Sequence, residues 1–209
     1  MTFDKEFKEA ISQLPAVEKD KLIMRLLKRD LGLANRLYFE LISTQSVEDR
    51  RSEMEIIVKK RVQQMSDSFY SVGYLTMDLR YLSGEITEHV QTTKDKFGEI
   101  SLNLLMLNEV LRINTQTIAN LTPGKAHKIS LYVIARAFKL LVLIKAMHED
   151  YLVEFREDLE QLGELIGGNH HLMKTAIYNG FDVNWLLDGG IPEDIKEQHT
   201  AIRKAGFLK

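Results

Sequence analysis

ISLYVIARAFKLLVLIKAM, residues 129–147, is apolar on almost every side of a helix, interrupted only by Ser130, Arg136, Lys139 and Lys145. A helix with so little polar surface is stable in water only when other elements cover it all round. The stretch follows the turn residues Thr122-Pro123-Gly124, and no strong helix stop comes before Gly167-Gly168. This punctuation predicts one central helix over Lys125–Ile166. Three cations well inside the apolar run, and an acidic continuation, point to a buried helix of a soluble protein and not to a membrane span.

The charges on that helix run in an unusual order. Its first half carries Lys125, Lys128, Arg136, Lys139 and Lys145 with no carboxylate, whereas from His148 onward seven carboxylates stand against Arg156 alone. Cations at the amino end and carboxylates at the carboxyl end each oppose the helix dipole, by roughly 0.3–1 kcal/mol where exposed. An antiparallel second copy relieves that cost by setting Arg136, Lys139 and Lys145 against Glu154, Glu157 and Asp158. Such pairing is self-complementary, as a two-fold dimer requires, so a homodimer is the expected assembly. The other source of counter-charge is the same chain, for example the mixed-charge residues 48–61.

Three short amphipathic helices are predicted ahead of this core. Their apolar stripes are Phe3, Phe7, Ala10, Ile11 and Leu14 before Pro15, then Leu22, Ile23, Leu26 and Leu27 before Gly32, then Leu37, Tyr38, Leu41 and Ile42. Ser46, followed by Glu48 and Asp49, is a strong helix N-cap. Apolar residues then recur, many of them three or four apart, through Val47, Met54, Val58, Met65, Phe69, Val72, Leu75, Leu79, Leu82, Ile86 and Val90. They form either one helix to about Gln91 or two collinear pieces divided at Ser83-Gly84. Thr93 opens a further helix with the most regular seam of all: Phe97, Ile100, Leu104, Leu107, Leu111, Asn114 and Ile118. Asn114 is a polar interruption of the kind that fixes register.

After Gly167-Gly168 the elements shorten again. Asn169 caps a helix, Trp185 reads as a plug holding the tail to the bundle, and Pro192 opens a final helix. The expected architecture is all-α: a bundle of three long helices with short helices packed at both ends. Its parts are a short-helix cap over residues 1–45, a bundle core over 46–168 with the central helix innermost, and an appendage over 169–209 packed on the bundle.

Composition narrows the function classes. The absence of cysteine removes disulfides and thiolate chemistry. A net charge of −2 without an extended basic block gives no nucleic-acid partner. The charged amino terminus MTFDKEFKEA has no signal-peptide character, and the expected location is the cytoplasm, with no membrane partner. A phosphate-binding glycine loop, a Gly-x-Ser-x-Gly elbow and a His-Glu-x-x-His pair are all absent. Neither His89 nor His148 has the glutamate three residues earlier that a di-iron bundle uses.

Two carboxylate pairs on helices remain, Glu85-x-x-Glu88 and Glu154-x-x-Glu157, and such spacing suits Mg²⁺ with its oxygen ligands. In these few residues the chain resembles the all-α nucleotide pyrophosphatases, the dimeric dUTPase and MazG-like families. That resemblance implies a magnesium-dependent pyrophosphohydrolase with Glu85, Glu88, Glu154 and Glu157 as ligands, although the partnering Glu-x-x-Asp is missing. A second stripe, Tyr70, Tyr74, Asp78 and Tyr81, has the flat apolar bodies and hydroxyls that line a binding groove. The leading expectation is a non-enzymatic helical interaction or scaffold protein. It needs no cofactor and acts through self-association or by holding a protein partner; the magnesium enzyme is the alternative.

Overall fold

A side chain that accepts a backbone N–H begins six of the eleven α-helices of the computed structural model, which describes residues 2–208 apart from the side chain of Glu149. Eleven α-helices and no strand are found among the described residues. The three helices of the amino-terminal segment are α1 (Lys5–Gln13), α2 (Ala16–Leu27) and α3 (Leu31–Leu41). The long ones are α4 (Val47–Asp67), α5 (Val72–Thr93), α6 (Lys96–Ala119) and α7 (Pro123–Lys145). A 3-10 segment, Glu149–Phe155, leads into α8 (Arg156–Gly167), followed by α9 (His170–Tyr178), α10 (Asn184–Leu187) and α11 (Ile195–Lys204).

The all-helical class is as expected, but the long helices number four, not three. Residues 46–92 divide in two, and the break falls at Ser68–Ser71, not at Ser83-Gly84. The Ser71 hydroxyl accepts the Tyr74 N–H there and starts α5. At the head of α4, Ser46 and Asp49 form a reciprocal capping box, each side chain accepting the other's backbone N–H at 3.0 Å. This satisfies two of the four donors that a helix start leaves unpaired. The cap of α6 is Asp95, whose carboxylate accepts from Gly98 N–H at 2.8 Å, in place of the expected Thr93.

The innermost rod is α6, not α7. Twelve of its residues are buried against ten in α7, and it touches α4, α5, α7, α8 and α9. Its predicted seam is the reason: Ile100, Leu104, Leu107, Leu111, Asn114 and Ile118 are buried and Phe97 is half-buried. Asn114 donates to Ser66 Oγ at 2.8 Å and to the Val110 carbonyl at 3.0 Å, which pins the register of α6 against α4.

The single helix expected over Lys125–Ile166 is also corrected. α7 stops at Lys145, His148 adopts an extended backbone, and the chain turns through the 3-10 segment before α8 begins. The turn brings Phe155 onto Phe97 of α6, with ring centroids 4.7 Å apart. Beyond it, Trp185 packs edge-on to Phe138 and Phe181, at 5.7 and 5.8 Å, holding the tail onto α7. No helix among the described residues is long and apolar enough to cross a membrane.

Candidate functional site

The amino-terminal helices are well encoded yet contribute no residue to the buried core. Asp4 caps α1 by accepting Phe7 N–H at 2.7 Å, and Asp30 caps α3 by accepting Leu33 N–H at 2.9 Å. Pro15 forces Leu14 into an extended conformation, so α1 ends where α2 begins. In all three helices no residue is buried. The arm is attached through α3, which lies on α5, while α2 rests on α3.

Twelve large apolar side chains of the arm, from Phe3 to Ile42, are exposed, at 38% (Ile11) to 78% (Leu41). At roughly 200 Å² for a large side chain, they present on the order of 1,000 Å² of apolar surface. That total is spread over three helices, each presenting a few exposed apolar side chains. The stripes of the sequence are therefore real helix faces, and the chain covers them only in part: Leu14, Leu22, Leu27 and Leu37 are half-buried, whereas Phe7, Ile23 and Leu41 stay exposed.

Where α3 meets the bundle there is an open groove of about 420 Å³, bounded by Tyr38 and Phe39 of α3, Met54 and Ile57 of α4, and His89 and Thr92 of α5. Behind it lies the strongest polar junction of the molecule. Arg51 of α4 donates from Nε and Nη2 to the two oxygens of Asp95, at 2.7 and 2.8 Å, and stacks over the Phe97 ring at 4.6 Å. The His89 ring stands 3.6 Å from the same carboxylate. Burial pushes the Asp95 carboxyl up, but His89, Arg51 and the Gly98 N–H together outweigh it and hold the group well below the usual carboxylate range. The junction locks α4, α5 and α6 together.

The other candidate residues are scattered. Glu85 and Glu88 lie on α5, where Glu85 pairs with Arg61 at 3.5 Å, whereas Glu154 is on the 3-10 segment and Glu157 at the start of α8. Among the described residues no three His, Cys, Asp or Glu side chains are grouped to hold a metal ion. The four glutamates thus form no common magnesium site. Tyr70 and Tyr74 pack edge-on to each other at 5.3 Å on the surface. Asp78 and Tyr81 instead line a shallow cavity of about 350 Å³ between α4 and α5 with Arg61 and Glu85, so the stripe is split.

The charge pairing expected across a dimer loses its premise, because its two halves no longer share a rod. Lys139 pairs with Glu99 of α6 at 3.2 Å, Lys145 pairs with Glu193 at 2.5 Å, and Arg136 donates to Ser83 Oγ. At the acidic end Asp158 faces like charge: burial first, then Glu157 and Glu55, push its carboxyl up. Sequence reasoning read the stripes of the arm as a small helical cap; in the structure α3 lies on α5, and no residue of α1, α2 or α3 is buried. The signal for exposure was weak, since an amphipathic pattern specifies a face and not what covers it. Comparison with protein-family models, with curated proteins and with solved structures returned no match.

Proposed function

We propose that this protein is a helical scaffold that self-associates, two copies packing their amino-terminal arms against each other. The observation that carries the reading is a capped, three-helix arm without a single buried residue. Its apolar surface, on the order of 1,000 Å², matches the ~800 Å² that each partner contributes to a standard stable interface. Charge does not oppose the pairing. Residues 1–45 carry eight Lys or Arg and seven Asp or Glu, so two arms meet nearly neutral, with both signs available at the rim. The bundle behind the arm, anchored by Arg51–Asp95, acts as the rigid body that the association brings together.

Sedimentation velocity on the full chain tests this reading. At micromolar concentration the wild type is expected to run as a dimer. Phe7→Asp, Met24→Asp and Leu41→Asp together, all at exposed positions, are expected to give a monomer with an unchanged helical spectrum. A wild-type chain of monomer mass at high micromolar concentration overturns the proposal. So does a dimer that survives the triple substitution, since its interface then lies elsewhere.

A further inference from the structure

A second feature of the molecule is independent of the arm. Between α5, α7 and α11 the surface opens into a cavity of about 590 Å³, within the size range of small-molecule sites. Arg80 comes from α5, Lys128, Arg136 and Lys139 from α7, and His199 and Arg203 from α11; no carboxylate lines it. Among the described residues only Lys139 of the five cations has an acidic partner, Glu99. This concentration of positive charge sits on a chain whose net charge is −2.

Helical periodicity builds most of the wall. Lys128, Leu131, Tyr132, Ala135, Arg136 and Lys139, each three or four positions from another of the set, share one stripe of α7. The stripe is basic at Lys128, apolar or aromatic through Leu131, Tyr132 and Ala135, and basic again at Arg136 and Lys139, and the apolar part continues onto Leu208 of the tail. The tail is held there by the Leu208 N–H, which donates to the buried Asn179 Oδ1 at 2.9 Å. Arg136 is positioned in advance: it donates to Ser83 Oγ and lies 5.5 Å from the Tyr132 ring, whose hydroxyl donates to the Leu79 carbonyl at 3.1 Å. A guanidinium has five N–H donors, so most of its fork remains for a ligand.

We propose that this cavity binds a small phosphorylated molecule, with two or more negative charges set among Arg80, Lys128, Arg136 and Arg203 and an apolar or planar part against Leu131 and Tyr132. Its cations surround a concavity from three separate helices, as recognition of a compact polyanion requires; a track for a nucleic-acid backbone would run along the surface. The crowding of positive charge also shows at His199, whose imidazole burial first, and then Arg203, push below its usual value.

Isothermal titration of the full chain at low salt, with inorganic triphosphate and with ATP as probes, tests the site. One saturable site is expected, with ATP tighter than triphosphate because of the apolar wall. Reversing two exposed cations, Lys128→Glu with Arg203→Glu, is expected to weaken both ligands by about a hundredfold, near tenfold per lost charged contact. Lys174→Glu, outside this cavity, is the control and is expected to leave both affinities unchanged. Three results overturn the proposal: no saturable binding at millimolar triphosphate, an affinity indifferent to the double reversal, or tighter binding of single-stranded oligonucleotides that grows with their length. Thermal melts of each variant separate loss of binding from loss of fold.

Discussion

Asp95 ties three long helices together, so its replacement probes the frame that carries both the arm and the cavity. Its side chain is 3% exposed and that of Arg51 18%. Asp95→Ala removes the N-cap of α6, worth about 1 kcal/mol. It also leaves the Arg51 guanidinium without its carboxylate. A fully buried pair broken in this way costs about 3–5 kcal/mol. Arg51 keeps some access to water and the Phe97 ring beneath it, so about 2 kcal/mol is the better figure here. The sum is about 3 kcal/mol, which for a chain of this length lowers the melting temperature by about 6–12 °C. Asp95→Asn keeps a capping oxygen and loses only the charge, and is expected to cost about half as much. Urea unfolding followed by the fluorescence of Trp185, the one tryptophan, measures both. The pH dependence supplies an independent check. Because the folded carboxyl titrates below its unfolded value, its stabilisation is complete above about pH 4 and is lost as the pH falls further. The gap between wild type and Asp95→Asn should therefore narrow in acid. A loss under ~1 kcal/mol for Asp95→Ala, or a gap that does not change in acid, would refute the reasoning.

Gly163 of α8 has no room for a side chain: a Cβ there meets Leu187 Cδ2 at 2.7 Å and Leu186 Cβ at 3.2 Å. Gly163→Ala is expected to push α10 outward at a net cost of about 1 kcal/mol, overpacking partly offset by alanine's helix propensity, and to change the Trp185 emission. Asp158→Asn is expected to stabilise the protein at pH 7 by about 0.5 kcal/mol, because the native site disfavours the charged form. With its folded value raised, ionised Asp158 weakens the fold above the unfolded value and not below it, so the gain should vanish under about pH 4, as paired melting curves will show. Asn114→Ala is expected to cost about 2 kcal/mol by leaving Ser66 unpaired. In a double-mutant cycle with Ser66→Ala, urea unfolding should return a coupling of about 1 kcal/mol.

The sequence made the helices legible and left their neighbours obscure. Ser46 and Asn169 cap helices as their side chains require, the α6 seam is buried, and Trp185 plugs the tail. These features are local, or repeat with the helix. The arm misled because Phe7, Ile11 and Leu41 make the same pattern whether the facing surface exists in the chain or not. The basic cavity was half visible in the carboxylate-free start of α7. Its other walls, Arg80 and Arg203, stand 48 positions before Lys128 and 75 after it, and no spacing rule connects them.

The break after Lys145 shows how tertiary burial overrode a strong local signal. Nothing from Ala146 to Tyr151 forbids a helix, and a straight rod would save the backbone hydrogen bonds given up at the turn, at about 1 kcal/mol each. The same rod would carry Phe155, Leu159, Leu162 and Ile166 away from the bundle, and all four are buried at 0–2% exposure. Burying them is worth roughly 1.5–3 kcal/mol apiece, more than the few bonds lost. Breaking the helix also answers the reversed dipole that first suggested an antiparallel twin. Lys145 now stands in the last turn of α7 and Glu157 in the first turn of α8, so both meet the helix end that favours them; at Asp158, also in that turn, burial and like charge outweigh the dipole. The change of charge sign near residue 146 therefore coincides with the place where one helix becomes two, and the proposal of self-association rests on the arm instead.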